Sequence, residues 1–390
     1  MNILFTPIKI GNVEIKNRIV RSATHIARNT KEGYITKEKV NYFRKLAEGG
    51  AGLIIKGFTY VLPNGRAFPL MSAIYEDKYI PGLKRLVDVV HKYGNRCKIA
   101  IQLGHAGREI GPGGYKESAP ISASAIEDPT TKIKPKKMTK EDIAEIVDSF
   151  AEAARRSFEV GFDGIQLHGA HGYLINQFLS PHTNKRKDEY GGNIKNRCKI
   201  VSEIYREIKR RIPNDLPLLI KMNATDFLED GIDIGSAINM AEIFEKIGFD
   251  AIEVSGGVWE AMKNFKRKAF PPEARKISSD PSEHAYHRQH AHLIKDQVNI
   301  PIIVVGGIRI KSMAENIINN KDADMISMSR PFICEPDIPN KWKNGISSVS
   351  QCKSCNKCAD DAINSVYNGE NYLGIRCIRK EMEEKRKKRI

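Results

Sequence analysis

The sequence has 390 residues, of which 41% are hydrophobic and 28% charged, a balance that excludes a disordered or fibrous chain. No run of about 18 apolar residues occurs and the amino terminus carries no secretion signal, so a cytoplasmic protein without a membrane partner is expected. Lysine and arginine number 63 against 47 acidic residues. This net charge of +16 favours anionic ligands such as nucleotides, coenzyme A esters or RNA, or simply keeps the protein in solution.

Short runs rich in Ile, Val and Leu recur along the chain and are predicted to be β-strands. They are RIVRSA at 18–23, AGLIIKGF at 51–58, KIAIQLG at 98–104, GIQLHG at 164–169, LLIKMNA at 218–224, AIEVSGG at 251–257, IIVVGG at 302–307 and DMISMSR at 324–330. Continuous apolar runs of this kind are typical of parallel strands that are covered on both faces.

Amphipathic helices are predicted between these strands, and the clearest covers 139–161. It follows the capping pattern Thr139-x-x-Asp142 and carries an apolar stripe from Ile143 to Phe158. Eight strand–helix units in about 310 residues favour a closed (β/α)8 TIM barrel over an open doubly wound sheet. The active site of such a barrel lies at the carboxyl ends of its strands.

A shift in composition after residue 340 divides the chain into a predicted barrel over 1–345 and a C-terminal extension over 346–390. The extension contains a cluster of cysteines: Cys352, Cys355, Cys358 and Cys377. Three further cysteines are isolated: Cys97, Cys198 and Cys334. An odd number of cysteines without a secretion signal predicts reduced thiols, and the cluster predicts a metal site.

Glycines and polar residues appear where the apolar runs stop, and the last two strands are the most informative. Gly306 and Gly307 end the seventh run, and Ser329 and Arg330 end the eighth. Phosphate-binding barrels place free backbone amides, a short helix start and a cation at these two strands. A double glycine alone also suits a tight turn, but both features together favour a phosphate site.

The stretch LHGAHGYLINQF places His168 at the end of the fourth strand and His171 and Tyr173 in the following loop. Two imidazoles can donate hydrogen bonds to a carbonyl oxygen, and a phenol can supply a proton nearby. These residues alone leave three interpretations open, namely catalysis, a loop fixed by histidine hydrogen bonds, and a metal site.

Lys56 and Lys221 also stand at the ends of predicted strands. A lysine in such a position can be the Schiff-base nucleophile of an aldolase or a cation that contacts an anionic cofactor, and the sequence leaves both interpretations open. The sequence contains no G-x-S-x-G, no P-loop and no G-x-G-x-x-G. Hydrolase, NTPase and Rossmann interpretations are therefore unsupported.

Five motifs stand at the predicted strand ends: NRIVRSATH, IQLGHAGR, LHGAHGYLINQFLSPHTNKRKDEYGG, VVGGIR and SMSRPFICEPD. A chain that carries them resembles the Old Yellow Enzyme family of FMN-dependent oxidoreductases, and the resemblance covers nearly all of residues 1–345. The long central motif is the most specific of the five. The resemblance implies that the barrel binds FMN and is catalytic.

The resemblance also implies a set of flavin-binding residues at the strand ends. They are Ala23, Thr24, His25, Gly57, Gln102, Lys221, Gly306, Gly307, Ser329 and Arg330. Gln102 would bind the pyrimidine edge of the isoalloxazine, and Lys221, where many relatives have arginine, would lie beside N1 and the C2 carbonyl. The two glycines with Ser329 and Arg330 would hold the phosphate. His25 stands where relatives often have cysteine or threonine, so its effect on the flavin is open.

In the same resemblance His168 and His171 would bind the carbonyl oxygen of the substrate, and Tyr173 would be the proton donor. The expected enzyme is an ene-reductase. Reduced FMN would transfer hydride to the β-carbon of an α,β-unsaturated carbonyl or an enoyl thioester such as an enoyl-CoA. NAD(P)H or a partner protein would reduce the FMN.

The cysteine cluster resembles the iron–sulfur site of the 2,4-dienoyl-CoA and 2-enoate reductase branch of that family. Its spacing is C-x2-C-x2-C-x18-C, whereas the branch usually has one more residue before the third cysteine and a shorter gap to the fourth. A [4Fe–4S] cluster is expected, with zinc and free thiols as alternatives. The branch continues into a flavin and NAD(P)H domain, which this sequence lacks, so a flavoprotein or ferredoxin electron donor is an expected partner.

Two other classes of function stay open. A tRNA dihydrouridine synthase is another basic FMN barrel, but its catalytic cysteine beside a proline has no counterpart here, so no nucleic-acid partner is expected. The second class is a non-catalytic electron-transfer protein with a vestigial barrel. The substrate, the choice of nicotinamide and the oligomeric state are not fixed by the sequence, and an oligomer is compatible with it.

Overall fold

The computed structural model describes residues 2–111, 113–129, 131–264, 274–277, 280–367 and 374–387. Parallel strands form a closed barrel in which the first strand pairs with both the second and the eighth. They are β1 (Ile19–Arg21), β2 (Leu53–Tyr60), β3 (Lys98–Gly104), β4 (Gly164–Gly169), β5 (Leu218–Asn223), β6 (Ala251–Ser255), β7 (Ile302–Val305) and β8 (Met325–Met328). All eight predicted strands and the (β/α)8 fold class are confirmed.

Helices cover the outside of the barrel. They are α1 (Lys37–Glu48), α2 (Ile80–Tyr93), α3 (Lys140–Val160), α4 (Lys199–Arg211), α5 (Ile234–Ile247), α6 (Arg288–Lys295), α7 (Lys311–Asn319), α8 (Arg330–Cys334) and α9 (Ile338–Lys343). Two shorter helices, Leu174–Leu179 and Ile194–Arg197, lie in the connection after β4. In the described part of the chain, no helix combines the length and the apolar character that crossing a bilayer requires.

A hairpin of Ile8–Ile10 and Val13–Ile15 closes the amino-terminal end of the barrel. Its buried Ile10 and Ile15 belong to one apolar cluster with inward-facing strand residues such as Val20 and Leu53. Because this end is filled with packed apolar side chains, a ligand can enter the barrel only at the carboxyl ends of the strands.

The long helix α3 is built as its sequence predicts, except at one position. The side chain of Thr139 accepts from the backbone N–H of Asp142, and the Asp142 carboxylate accepts from Thr139 N. The prediction that Phe158 lies on the buried stripe is wrong, because this residue is 44% exposed. At about 100° per residue it falls roughly a quarter turn away from the centre of the buried face, which contains Ile146 and Phe150.

The C-terminal segment packs against the carboxyl-end face of the barrel. It contains α10 (Lys357–Tyr367) and α11 (Ile378–Lys387). Ser350 N donates to Arg309 O at 2.8 Å, and Ile375 N donates to Ile26 O at 2.9 Å. The cysteines are therefore close to the loops that follow β1 and β7, while the division of the chain at residue 345 stays a prediction.

Candidate active site

A buried carboxylate organises the polar layer inside the barrel mouth. Glu253 on β6 is fully buried and accepts from Ser22 Oγ at 2.7 Å, Ser327 Oγ at 2.8 Å and Gln166 Nε2 at 2.9 Å. Its second oxygen forms an ion pair with Lys221 Nζ at 3.2 Å. Lys221, a predicted flavin contact, thus has a carboxylate partner, and Glu253 is not among the predicted site residues.

The same layer contains Gln102, the predicted partner of the pyrimidine edge. Gln102 Nε2 donates to Gln166 Oε1 at 2.8 Å, and Gln166 donates onward to Glu253. Gln102 and Lys221 are therefore held by one network that crosses the barrel. The sequence signal for this network is a polar residue inside an otherwise apolar run, as in IQL, IKM and IEV.

The predicted flavin contacts that follow β1 lie against Gly57, which is inside β2 and not at its end as predicted. A Cβ added at Gly57 would be 2.6 Å from Thr24 N and 2.7 Å from Ala23 Cβ, so only glycine allows β2 to approach this turn. Thr24 Oγ1 lies 2.7 Å from Ser329 Oγ, which joins the turn to the end of β8. His25 is half-buried in the same turn.

The four residues predicted to hold a phosphate line one cavity. Gly306 and Gly307 have φ of +117° and +72°, values that favour glycine. Among the described residues Arg330 donates only to uncharged acceptors, which include the Arg275 carbonyl at 2.7 Å. A cation without a carboxylate beside two such glycines and Ser329 fits a phosphate group.

The three predicted catalytic side chains are in contact at the end of β4. The ring centroid of His168 lies 5.2 Å from that of His171 and 4.8 Å from that of Tyr173. His171 Nε2 is 2.7 Å from Ser255 Oγ, and its backbone N donates to Asn223 Oδ1 at 3.1 Å. His168 Nδ1 is buried and has no hydrogen-bond partner among the described residues, so it is free to bind a ligand.

Both histidines are neutral in this environment. Burial, and then the charge of Lys221, holds the pKa of His168 well below its usual value. Burial also lowers the pKa of His171, with His168 and Lys221 as further causes. A neutral imidazole can donate to a carbonyl oxygen and stabilise negative charge as it develops there. Within the described ranges no three His, Cys, Asp or Glu side chains converge on one metal ion, so the metal interpretation of this stretch has no support.

Lys56 does not lie at a strand end, and this prediction is wrong. Strand β2 continues to Tyr60, and Lys56 is fully buried and donates to Thr59 Oγ1. Burial and the nearby charge of Lys39 on α1 hold its pKa well below the usual value. The register of β2 shifts between Lys56 and Thr59, and the strand continues through this irregularity with every residue buried.

The clustered cysteines line a second cavity, next to the phosphate cavity. Its lining includes Arg330, Arg379 and the whole predicted metal set: Cys352, Cys355, Cys358 and Cys377. Arg330 lines both cavities. A hydrogen bond from the thiol of Cys334 lowers the pKa of Cys377, and the charges of Arg379 and Lys380 act in the same direction. Four thiols with flanking cations have the chemistry of a metal–sulfur donor set, but within the described ranges no three of them converge on one metal ion.

The sequence matches the NADH:flavin oxidoreductase / NADH oxidase family over residues 3–348. It is 36% identical to the NADH oxidase of Thermoanaerobacter brockii, over 90% of this chain and 52% of that one. It is also 36% identical to the NADPH dehydrogenase of Bacillus subtilis, over 85% of this chain and 92% of that one. A solved structure of 2-naphthoyl-CoA reductase with 2-naphthoyl-CoA has a TM-score of 0.82 and 27% identity, and covers 91% of this chain and 54% of that one.

These relatives are of two lengths. The chain spans about half of the NADH oxidase and of the 2-naphthoyl-CoA reductase, at 52% and 54% of their lengths. It spans nearly all of the NADPH dehydrogenase, at 92%. The similarity to the longer relatives covers 90% and 91% of this chain, and the similarity to the shorter one covers 85%.

Proposed function

Because the chain belongs to the NADH:flavin oxidoreductase / NADH oxidase family, we propose that it is an FMN-dependent ene-reductase that acts on an α,β-unsaturated carbonyl or an enoyl thioester. The predicted Old Yellow Enzyme resemblance is confirmed at the level of this family of oxidoreductase enzymes. The observation that supports the finer reaction is the contact of His168, His171 and Tyr173 at the mouth of the barrel.

Each of these side chains has a separate task in the proposed reaction. Bound FMN supplies the hydride for the β-carbon. Neutral His168 and His171 donate hydrogen bonds to the substrate carbonyl oxygen and stabilise the enolate charge that develops on it. Tyr173 delivers a proton from its hydroxyl to the α-carbon. Its ring packs edge-on against Phe58 at 4.9 Å, which fixes the direction of the hydroxyl.

The flavin would be held along the mouth of the barrel. Arg330, Ser329 and the backbone of Gly306 and Gly307 would bind the phosphate. Gln102 and Lys221 would bind the pyrimidine edge, and Ala23, Thr24, His25 and Gly57 would line the ring. Lys221 Nζ donates to Ser22 Oγ and forms an ion pair with Glu253. These two contacts hold the ammonium group in place before the cofactor binds.

The net charge of +16 supports an anionic substrate such as a coenzyme A ester. The similarity to a reductase solved with 2-naphthoyl-CoA supports the same class. NAD(P)H is the proposed reductant, as in the names of the NADH oxidase and NADPH dehydrogenase relatives. A flavoprotein or ferredoxin is the alternative electron donor.

An anaerobic visible spectrum of the purified protein tests the proposal. We expect bound FMN that NADH or NADPH bleaches and that an enone or enoyl-CoA then reoxidises, with the saturated product formed. Protein without flavin, or reduced flavin that no enone or enoyl-CoA reoxidises, would contradict the ene-reductase. Dihydrouridine formation in tRNA would favour the rival synthase instead.

We also propose that the four clustered cysteines bind a [4Fe–4S] cluster. The purified protein should then contain about four iron atoms per chain, and Cys352→Ser or Cys355→Ser should remove most of them. Cys198→Ser is the matched control, because Cys198 is a buried cysteine outside the cluster and its loss should leave the iron content unchanged. Stoichiometric zinc, or a preparation under anaerobic conditions without metal, would overturn the assignment.

A further inference from the structure

His287 is a buried histidine that the proposed reaction does not use. It precedes α6, has no exposed surface, and neither of its ring nitrogens has a hydrogen-bond partner among the described residues. Leaving a buried polar group without a partner is costly, so such groups are rare unless a ligand supplies the partner. The imidazole therefore has a vacant hydrogen-bonding position.

The position of the ring shows where that partner would lie. A Cβ added at Gly256, after β6, would be 2.8 Å from His287 Cε1, and one added at Gly306, after β7, would be 3.0 Å from Cδ2. Nε2 lies between Cε1 and Cδ2 in an imidazole ring. The edge that carries Nε2 therefore faces the gap between the ends of β6 and β7, inside the mouth of the barrel.

This gap separates the two ends of the proposed flavin site. Gly306 lines the phosphate cavity with Arg330, whereas Lys221 in the polar layer belongs to the ring end. In FMN the phosphate and the ring are joined by the ribityl chain, whose hydroxyls must pass between these two ends.

The protonation state of His287 favours a hydroxyl as the partner. Burial, followed by the charges of Arg275, His290, His171 and Lys221, holds its pKa well below the usual value. A neutral imidazole has one nitrogen that donates and one that accepts. A hydroxyl can satisfy either nitrogen, whereas a phosphate oxygen can only accept.

We propose that His287 is a positioning residue that forms a hydrogen bond to a ribityl hydroxyl of FMN. The assignment rests on the FMN-binding part of the proposed function. A Cβ at residue 256 would meet the His287 ring first, whereas a Cβ at residue 306 would meet Tyr286 before it reached His287.

Three flavins that differ in length test this assignment. His287→Ala should weaken the binding of FMN and of riboflavin by the same factor, about 3- to 10-fold, since one hydrogen bond is lost from each. The binding of lumiflavin, which has no ribityl chain, should be unchanged. His287→Gln, which keeps a donor and an acceptor, should recover much of the loss. Flavin fluorescence during titration of the apoprotein measures each dissociation constant.

Arg330→Met is the control for the phosphate end, because it should weaken FMN binding much more than riboflavin binding. A loss confined to FMN in His287→Ala would move the contact to the phosphate and overturn the proposal. An equal loss for all three flavins would show a structural role, and no loss would show no contact. If the unsubstituted protein binds none of the flavins, the proposed function itself fails, which is a distinct result.

Discussion

Replacing His168 by alanine is expected to lower kcat/KM for an enone or enoyl-CoA by about 10²- to 10³-fold. The loss should fall on the half-reaction in which the substrate reoxidises the flavin, because the imidazole stabilises charge on the substrate oxygen only. Reduction of the flavin by NAD(P)H should be nearly unchanged. Stopped-flow absorbance of the flavin measures the two half-reactions separately, and Tyr173→Phe should affect the same one.

His292→Ala is the matched control for His168→Ala. His292 lies on the exposed surface of α6, with 43% of its side chain accessible, and its loss should change neither half-reaction.

The pH dependence of the rate gives a second test. Because burial holds the pKa of His168 and of His171 well below 6.5, both stay neutral across the physiological range and the rate should show no histidine inflection between about pH 6 and 8. A clear inflection there, or equal losses in both half-reactions, would contradict the assignment.

The fold can be predicted from the sequence because each barrel strand is covered on both faces. Continuous apolar runs, such as 98–104 and 164–169, coincide with strands to the residue. The errors occur where a tertiary feature alters the local pattern. Lys56 interrupts an apolar run but not the strand, because the register of β2 shifts there and Lys56 is buried beside Thr59. Phe158 repeats at helical spacing but is 44% exposed, because helical spacing alone does not show which residues the neighbouring elements cover.

The site is predictable to the extent that its residues stand at strand ends. Gly307 and Arg330 are far apart in sequence, and barrel topology alone brings them to one cavity. His287 has no such signal, because it lies in the long connection after β6 among several other histidines. Its position depends on the packing of that connection against Gly256 and Gly306, which a local pattern does not contain.

Replacing Glu253 by glutamine is expected to lower the stability of the protein strongly, because its carboxylate is the buried partner of Lys221. Glu253→Gln leaves Lys221 as a buried cation without a carboxylate, and breaking a buried pair in this way costs about 3–5 kcal/mol in the free energy of unfolding. Urea unfolding of the apoprotein, followed by circular dichroism, measures this loss. The same variant should raise the reduction potential of bound FMN, because the uncompensated charge of Lys221 favours the anionic reduced flavin.

The double variant Glu253→Gln with Lys221→Met separates the charge from the packing. Removing both members of a buried ion pair is often nearly neutral, so the double variant should recover most of the stability that the single variant loses. Equal losses in the single and double variants would show that Glu253 acts mainly through Ser22, Ser327 and Gln166, which donate hydrogen bonds to it. The recovery is expected because only Lys221 among these contacts carries a charge. In that case Glu253 would balance the charge of Lys221, and Ser22, Ser327 and Gln166 would hold the Glu253 carboxylate in position.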